Sequence, residues 1–221
     1  MKSCDYIIVG AGSAGCVLAN RLSEDPDNSV LLLEAGGTEH RHRRMRMPLA
    51  WRDTFMDPTV SWGYFSEPER YADERRVPVP RGKVLGGTSS VNGMMYSRGH
   101  AADYDHWRDL GSSGWSYAEV LPYFKRSESN WRGESLYHGA AGPLTVSRHV
   151  TDSIIYPRLI ATAGKLGYRH LEDFHGAEVE GFSAPDFNVH GGRRASTAAR
   201  YLRPAMGRTN LIVRTGALAH R

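Results

Sequence analysis

The chain is 221 residues long, 40% hydrophobic and 24% charged, with 28 Lys and Arg against 24 Asp and Glu. That length is roughly one and a half ordinary domains, enough to bury a core without disulfides or metals, and it excludes a stapled miniprotein. A net charge of +4 is too small to mark a disordered chain or a nucleic-acid binder, so no nucleic-acid partner is expected.

Cys4 and Cys16 are the two cysteines. They show no Cys/His spacing for zinc, so no metal site is expected, and two free thiols fit a reducing compartment. No apolar run reaches the roughly 18 residues of a membrane span, and no secretory leader pattern is visible. The expectation is a cytoplasmic protein without a transmembrane segment, with peripheral attachment to the inner membrane as the variant.

Residues 6–10, Tyr-Ile-Ile-Val-Gly, form a continuous apolar run of the kind a buried parallel strand requires. Gly-Ala-Gly-Ser-Ala-Gly follows at 10–15. Ala14, Val17, Leu18 and Leu22 then predict the apolar face of a helix. Asp25, Pro26, Asp27 and Asn28 predict a turn, and residues 30–33 a second buried strand ending on Glu34. The chain thus opens β-α-β. Residues 36–60 read as surface loop. Its basic run, His40, Arg41, His42, Arg43, Arg44 and Arg46, reads as solvated rather than as an anion or partner site.

Pro68, Pro78 and Pro80 favour an extended path through 66–82. Ser116 and Glu119 form a capping box for a helix through Val120, Leu121 and Phe124, which Pro122 should kink or shorten. A helical stretch at 154–166 interrupted by Pro157, a short helix at 196–202 stopped near Pro204, and a strand at 211–213 complete the pattern. There is no internal repeat.

The first glycine cluster carries chemistry. Gly10 makes the tight turn, Gly12 lets the backbone approach a pyrophosphate, and Gly15 lets the helix pack closely. Amides at Ser13 and Ala14 then face the phosphates from the helix start. Glu34, 19 residues after Gly15, can accept hydrogen bonds from ribose hydroxyls. Strand, helix and acidic residue agree, so dinucleotide binding is expected over a purely structural turn. Glu34 argues against NADP, whose 2′-phosphate it would repel. The fingerprint does not separate FAD from NAD. A second cluster, Gly82, Gly86, Gly87 and Gly93, holds Thr88, Ser89, Ser90 and Asn92 between its glycines, and such a loop permits close backbone approach to a ligand.

Gly82, Lys83, Leu85, Gly86, Gly87, Thr88, Ser89, Val91, Asn92, Tyr96, Gly99 and Asp105 together fit the first signature of the glucose-methanol-choline (GMC) oxidoreductases, FAD enzymes that oxidise alcohols. The resemblance continues through Trp62-Gly63-Tyr64, Gly114-Trp115-Ser116-Tyr117, His138-Gly139, Gly142-Pro143-Leu144, Arg193-Arg194 and Tyr201-Leu202-Arg203-Pro204. It is nearest in flavour to the choline dehydrogenase-like branch.

The resemblance implies an α/β, Rossmann-like FAD-binding domain of the GMC and glutathione-reductase type, with the start of an α+β substrate domain. It implies a βαβ dinucleotide unit at 1–36, an extended segment and flavin-contacting loop at 37–110, a partial substrate or cap region at 111–190, and a return to the FAD domain at 191–221. It implies pyrophosphate at Gly12, Ser13, Ala14 and Gly15, and ribose at Glu34 beside Ala35. The flavin loop it implies runs through Lys83, Val84, Gly86, Gly87 and Thr88 to Asn92, Gly93, Met94 and Met95, with Asn92 and Gly93 nearest the ring. Adenine is implied along 217–219, at Ala219. Some members bond FAD through a histidine at the position of Val91; valine cannot, so non-covalent FAD is expected. His175 stands where the family commonly has Asn, a departure expected to be peripheral and minor.

Members of this family are longer, and their catalytic His and second signature would lie beyond Arg221. None of the ten histidines fits that motif, so no catalytic residue is assigned and the chain alone is expected to be inactive. A fragment, a frameshifted gene or a split enzyme with its C-terminal half on another chain is expected, poorly soluble or weak in FAD binding by itself. The whole protein is expected to pass hydride from a CH–OH group of a small alcohol to FAD, with an electron acceptor other than oxygen. The alternatives are a non-catalytic FAD-binding remnant and an NAD-dependent Rossmann dehydrogenase.

Overall fold

The computed structural model describes residues 3–38, 43–148 and 153–220; His40, Arg41 and His42 of the basic run lie outside the described residues. In chain order the elements are β1 (Tyr6–Val9), α1 (Ser13–Leu22), β2 (Val30–Glu34), α2 (Trp51–Phe55), β3 (Tyr64–Phe65), β4 (Pro78–Val79), β5 (Met95–Tyr96), α3 (Ala101–Asp109) and α4 (Tyr117–Ser127). There follow β6 (Glu128–Asn130), β7 (Leu144–Val146), α5 (Ile155–Lys165), β8 (Asp186–Phe187), β9 (Val189–His190), β10 (Arg193–Arg194), α6 (Arg203–Ala205) and β11 (Leu211–Thr215). The chain divides into two compact units, one of residues 1–94 and 189–221, the other of 95–188. The division falls ahead of the 110/111 boundary implied by the resemblance, because β5 pairs antiparallel with β8 inside the second unit.

The first unit is built on a parallel sheet of order β1-β2-β11. Val30 faces both Tyr6 and Leu211 across the ladder, and Leu32 faces Ile8 and Val213. Parallel neighbours need a crossover, and α1 supplies it between β1 and β2. The helix forms where expected but buries a different face. Gly15, Cys16, Ala19 and Asn20 are inward, while Ala14 and Leu18 are exposed. Small residues set that choice, because they let the helix lie close to its neighbours. Asn20 then donates from Nδ2 to the Tyr201 carbonyl at 2.8 Å, tying α1 to the 198–202 π-helical turn.

Two further expectations for this unit are corrected. On β1 only Ile8 is buried; Tyr6, Ile7 and Val9 are exposed, because β1 is an outer strand covered on one face. Residues 43–60 are not loop throughout, although Arg43 and Arg44 of the basic run are exposed, as expected. A 3-10 turn at Arg43–Arg46, another at Pro48–Ala50 and α2 fold there, burying Met45 and Val60 with Val84 and Val91 in one apolar cluster. The short helix expected at 196–202 forms as a π-helical turn at Ala198–Leu202 that continues into α6 and stops at Ala205, just past Pro204, as expected.

In the second unit neither proline interrupts its helix. α4 runs unbroken through Pro122; the carbonyl deprived of a partner belongs to the exposed Ala118, where water can take it. Glu119 Oε2 accepts from the Ser116 amide at 3.0 Å at the helix start. Pro157 lies in the first turn of α5 and interrupts nothing.

A buried ionic cluster pins this unit. His138 reaches Glu128 Oε1 with Nδ1 at 2.9 Å and Asp173 Oδ2 with Nε2 at 2.8 Å. Glu128 Oε1 also meets Arg98 Nη2 at 2.7 Å and accepts from the Gly139 amide at 3.0 Å. Burial opposes the His138 charge, but hydrogen bonds to Asp173 and Glu128 outweigh it and push the imidazole up to about 9. Burial likewise opposes both carboxylates, yet His138 and its neighbours hold Glu128 and Asp173 down to about 2. Arg132 adds an ion pair to Asp186. His175 is buried, not peripheral: its amide donates to Asp173 Oδ1 at 2.9 Å and its ring meets Tyr96 edge-on at 5.3 Å. Burial pushes its imidazole pKa down, so it stays neutral there.

Candidate functional site

The candidate site is a cleft in the first unit at the carboxyl ends of the parallel strands, where open α/β sheets bind ligands. Its cavity is about 280 Å³, near the lower end of the usual range for small-ligand pockets. Val9, Gly10 and Gly12 line it from β1 and the first loop; Leu33, Glu34 and Ala35 line it from the end of β2. Trp62, Gly82 and Gly87 close a second side, and Ala217, Leu218 and Ala219 a third.

The two glycine clusters are one structure. The Gly86 amide donates to the Ala11 carbonyl at 2.7 Å, and the Leu85 amide to Gly37 O at 3.0 Å. A Cβ on Gly87, itself at φ +52°, would lie 2.7 Å from Gly12 Cα, so the loops touch at a distance only glycine permits. A Cβ on Gly15 would lie 2.0 Å from Gly10 O, which fixes glycine at the start of α1. Gly12 is the opposite case: a Cβ there meets nothing within 4 Å. That open space over a backbone flanked by helix-start amides is room for a ligand's phosphates.

Glu34 is buried at the acid end of the cleft. Its Oε2 accepts from the Ala11 amide at 2.8 Å and its Oε1 from Gly36 N at 2.8 Å. Each carboxylate oxygen keeps lone-pair capacity for a further donor, so the same group braces the first loop and remains able to take hydroxyls. The Ala217 amide donates to Glu34 O at 2.9 Å, which brings the 217–219 backbone to the same end.

The structure thus gathers Gly10, Gly12, Glu34, Ala35, Gly87 and Ala219 around one cleft, with Ser13, Ala14 and Gly15 beginning α1 beside it. Gly86 joins through its amide, and Lys83 lies with Nζ 4.7 Å from the Trp62 ring centroid. Thr88 Oγ1 accepts from Gly82 N at 3.2 Å. Val84 and Val91 turn their side chains into the apolar cluster instead of the cleft. Asn92, Gly93 and Met94 are not part of the cleft's lining and are held by a separate support described below. Met95 begins β5 of the second unit, with its side chain exposed.

Sequence reasoning gave no role to Trp62, to Ala11 or to the support formed by residues 194–198. Ala11 acts only through its backbone, which leaves no trace in residue type. A signal for the support existed in Arg194, a guanidinium beside the small residues 195–199, but only a fold brings it to the loop.

Comparison with known proteins follows this geometry. A family profile described as GMC oxidoreductase matches residues 4–221. The oxygen-dependent choline dehydrogenase of Sinorhizobium fredii is 46% identical over 208 residues, covering 94% of this chain and 38% of that protein. Among solved structures, pyridoxine 4-oxidase from Mesorbium loti superposes with a TM-score of 0.91 at 35% identity, covering 97% of this chain and 42% of its own. An FAD-dependent oxidoreductase from Chaetomium thermophilum gives 0.86 at 27% identity over 96% of this chain and 38% of its own. The chain therefore spans well under half the length of the relatives it matches.

Proposed function

The chain belongs to the GMC oxidoreductase family, and on that premise we propose that it forms the FAD-binding part of an FAD-dependent oxidoreductase acting on the CH–OH group of a small alcohol, of the choline dehydrogenase kind. The observation that carries this reading is the joined pair of glycine loops, bonded through Ala11 O and Gly86 N over a cleft with Glu34 at one end. An NAD-dependent Rossmann dehydrogenase would use the first loop and leave the second without a task.

Bound FAD supplies the hydride acceptor. This chain's own residues bind and orient it. Amides at Ser13, Ala14 and Gly15 face the pyrophosphate, Glu34 takes ribose hydroxyls, and backbone at Ala219 flanks the adenine. Lys83, Val84, Gly86, Gly87 and Thr88 carry the loop that leads to Asn92, Gly93, Met94 and Met95 at the flavin end. Val91 has no nucleophile and is fully buried, so the flavin is held without a covalent bond. No residue of this chain is assigned the alcohol's proton. The sequence reading expects an acceptor other than oxygen, whereas the name of the Sinorhizobium relative includes oxygen dependence; turnover with a dye against dioxygen in the whole protein separates the two.

Flavin fluorescence titration of the purified chain against FAD, with NADH in parallel, tests the reading. Saturable FAD binding, with flavin released to the supernatant on acid precipitation, is expected. Binding of NADH without FAD overturns it, and flavin that stays with the precipitated polypeptide overturns the non-covalent attachment.

A further inference from the structure

Arg194 lies on β10, about a hundred positions after the second glycine loop, and the residue is 6% exposed. Nε donates to the Met45 carbonyl at 2.8 Å. Nη1 reaches Asn92 O at 2.6 Å, Asn92 Oδ1 at 2.9 Å and Ser89 O at 3.2 Å. Next to it the Thr197 amide donates to Ser89 Oγ at 3.1 Å, and the two hydroxyls lie 2.9 Å apart. A planar guanidinium aimed at several fixed acceptors is a rigid clamp that an ammonium cannot reproduce.

What it clamps is strained. Met94 is a non-glycine residue at φ +61°, a left-handed conformation that persists only where surroundings over-determine it. Asn92 Oδ1, the atom Arg194 holds, also accepts from the Met94 amide at 3.0 Å. The chain of contacts runs from guanidinium to side-chain amide to strained backbone. It also settles which way the Asn92 amide points, because both donors meet its oxygen. The Asn92 Nδ2 group donates to no other described residue, so this donor has no partner among them.

We propose that Arg194 is a positioning residue: it fixes the turn at 92–94 and orients the Asn92 amide so that Nδ2 is presented as a donor to the polar edge of the flavin ring. The inference rests on the FAD reading above. Its test uses Arg194→Met and Arg194→Lys in the same chain, with three measurements. Amide hydrogen exchange over 86–94 is measured without cofactor; exchange at least tenfold faster in R194M is expected. FAD and ADP are then titrated separately, because ADP engages the adenosine and pyrophosphate end alone. The FAD Kd should rise at least tenfold in R194M and less in R194K, while the ADP Kd stays within twofold of the parent in both.

Parallel loss of FAD and ADP affinity would make Arg194 a general structural staple and overturn the proposal, as would unchanged exchange or unchanged FAD affinity. If R194M does not fold, R194K decides alone: a several-fold FAD loss with ADP intact supports the proposal, and equal losses or none overturn it. A parent chain that binds ADP but not FAD fails the functional reading, and the role of Arg194 toward a flavin fails with it.

Discussion

On the proposed FAD reading, Glu34 serves two purposes with one carboxylate. It accepts from Ala11 and Gly36, which holds the first loop against β2, and it offers its remaining lone pairs to the cleft. Glu34→Gln separates these purposes poorly, because one acceptor oxygen becomes an NH2 group facing a backbone N–H. The buried donor left without an acceptor costs about 1–3 kcal/mol. A urea midpoint lowered accordingly is expected, together with at least tenfold weaker ADP binding; unchanged values for both would show that the loop needs no brace. At this scale much was legible in the sequence. The tight turn at Gly10 and the close packing at Gly15 follow from spacing, since the geometry of a strand-turn-helix requires glycine there. The partners of Glu34 within the polypeptide were not legible. They are backbone amides, and every residue type but proline carries one.

Helix α1 shows how periodicity is misread when small residues do the packing. The pattern of Ala14, Val17, Leu18 and Leu22 selects the larger side chains, while the fold buries Gly15, Cys16, Ala19 and Asn20. Close approach and the Asn20–Tyr201 hydrogen bond win over apolar area here. Leu18→Ser should therefore shift stability by no more than about 0.5 kcal/mol. Ala19→Leu, overpacking a fully buried site, should cost about 1–3 kcal/mol. Denaturant melts of the two variants check the face, and the reverse order of effects would restore the sequence reading.

The strands and turns of the second unit carry the ionic cluster, and its pH dependence has a definite sign. His138 is raised to about 9, so its contribution is complete below its ordinary value near 6.5 and is lost as pH rises through about 9. Glu128 and Asp173 are lowered to about 2, so theirs is complete above about 4–4.5 and is lost as pH falls toward 2. Thermal unfolding followed from pH 5 to 9.5 should show the melting temperature falling on the alkaline side. His138→Gln, which leaves the buried Glu128 and the half-buried Asp173 without the imidazolium between them, should cost about 3–5 kcal/mol and flatten that alkaline slope. A slope that survives the substitution would place the titrating group elsewhere. The cluster was invisible in sequence because Arg98, Glu128, His138 and Asp173 share no short motif; they lie on separate stretches of the chain that only the fold brings together.

For the molecule as a whole, the decisive feature is what its parallel sheet leaves bare. The register places Ile7, Leu31 and Ile212 side by side, with Val9 and Leu33 next along the same face. Ile7 is 61% exposed, Val9 67% and Ile212 42%. The opposite face is covered by α1, and among the described residues both β1 and β11 have β2 as their only sheet partner. Parallel strands are ordinarily buried on both faces, and bare apolar strands with open edges template further pairing. The chain on its own should therefore bind a hydrophobic dye and sediment as larger species as concentration rises. Replacing Ile7 and Ile212 by Thr keeps the β-branched shape that suits a strand and removes apolar area away from the cleft lining, so the double variant should bind less dye and stay smaller at equal concentration. A monodisperse chain that ignores the dye would show that this face is satisfied as it stands. Since β1 feeds the first glycine loop directly, the same comparison reports on function: a sheet kept from self-association should hold its cleft open to ADP at concentrations where the parent chain has lost it.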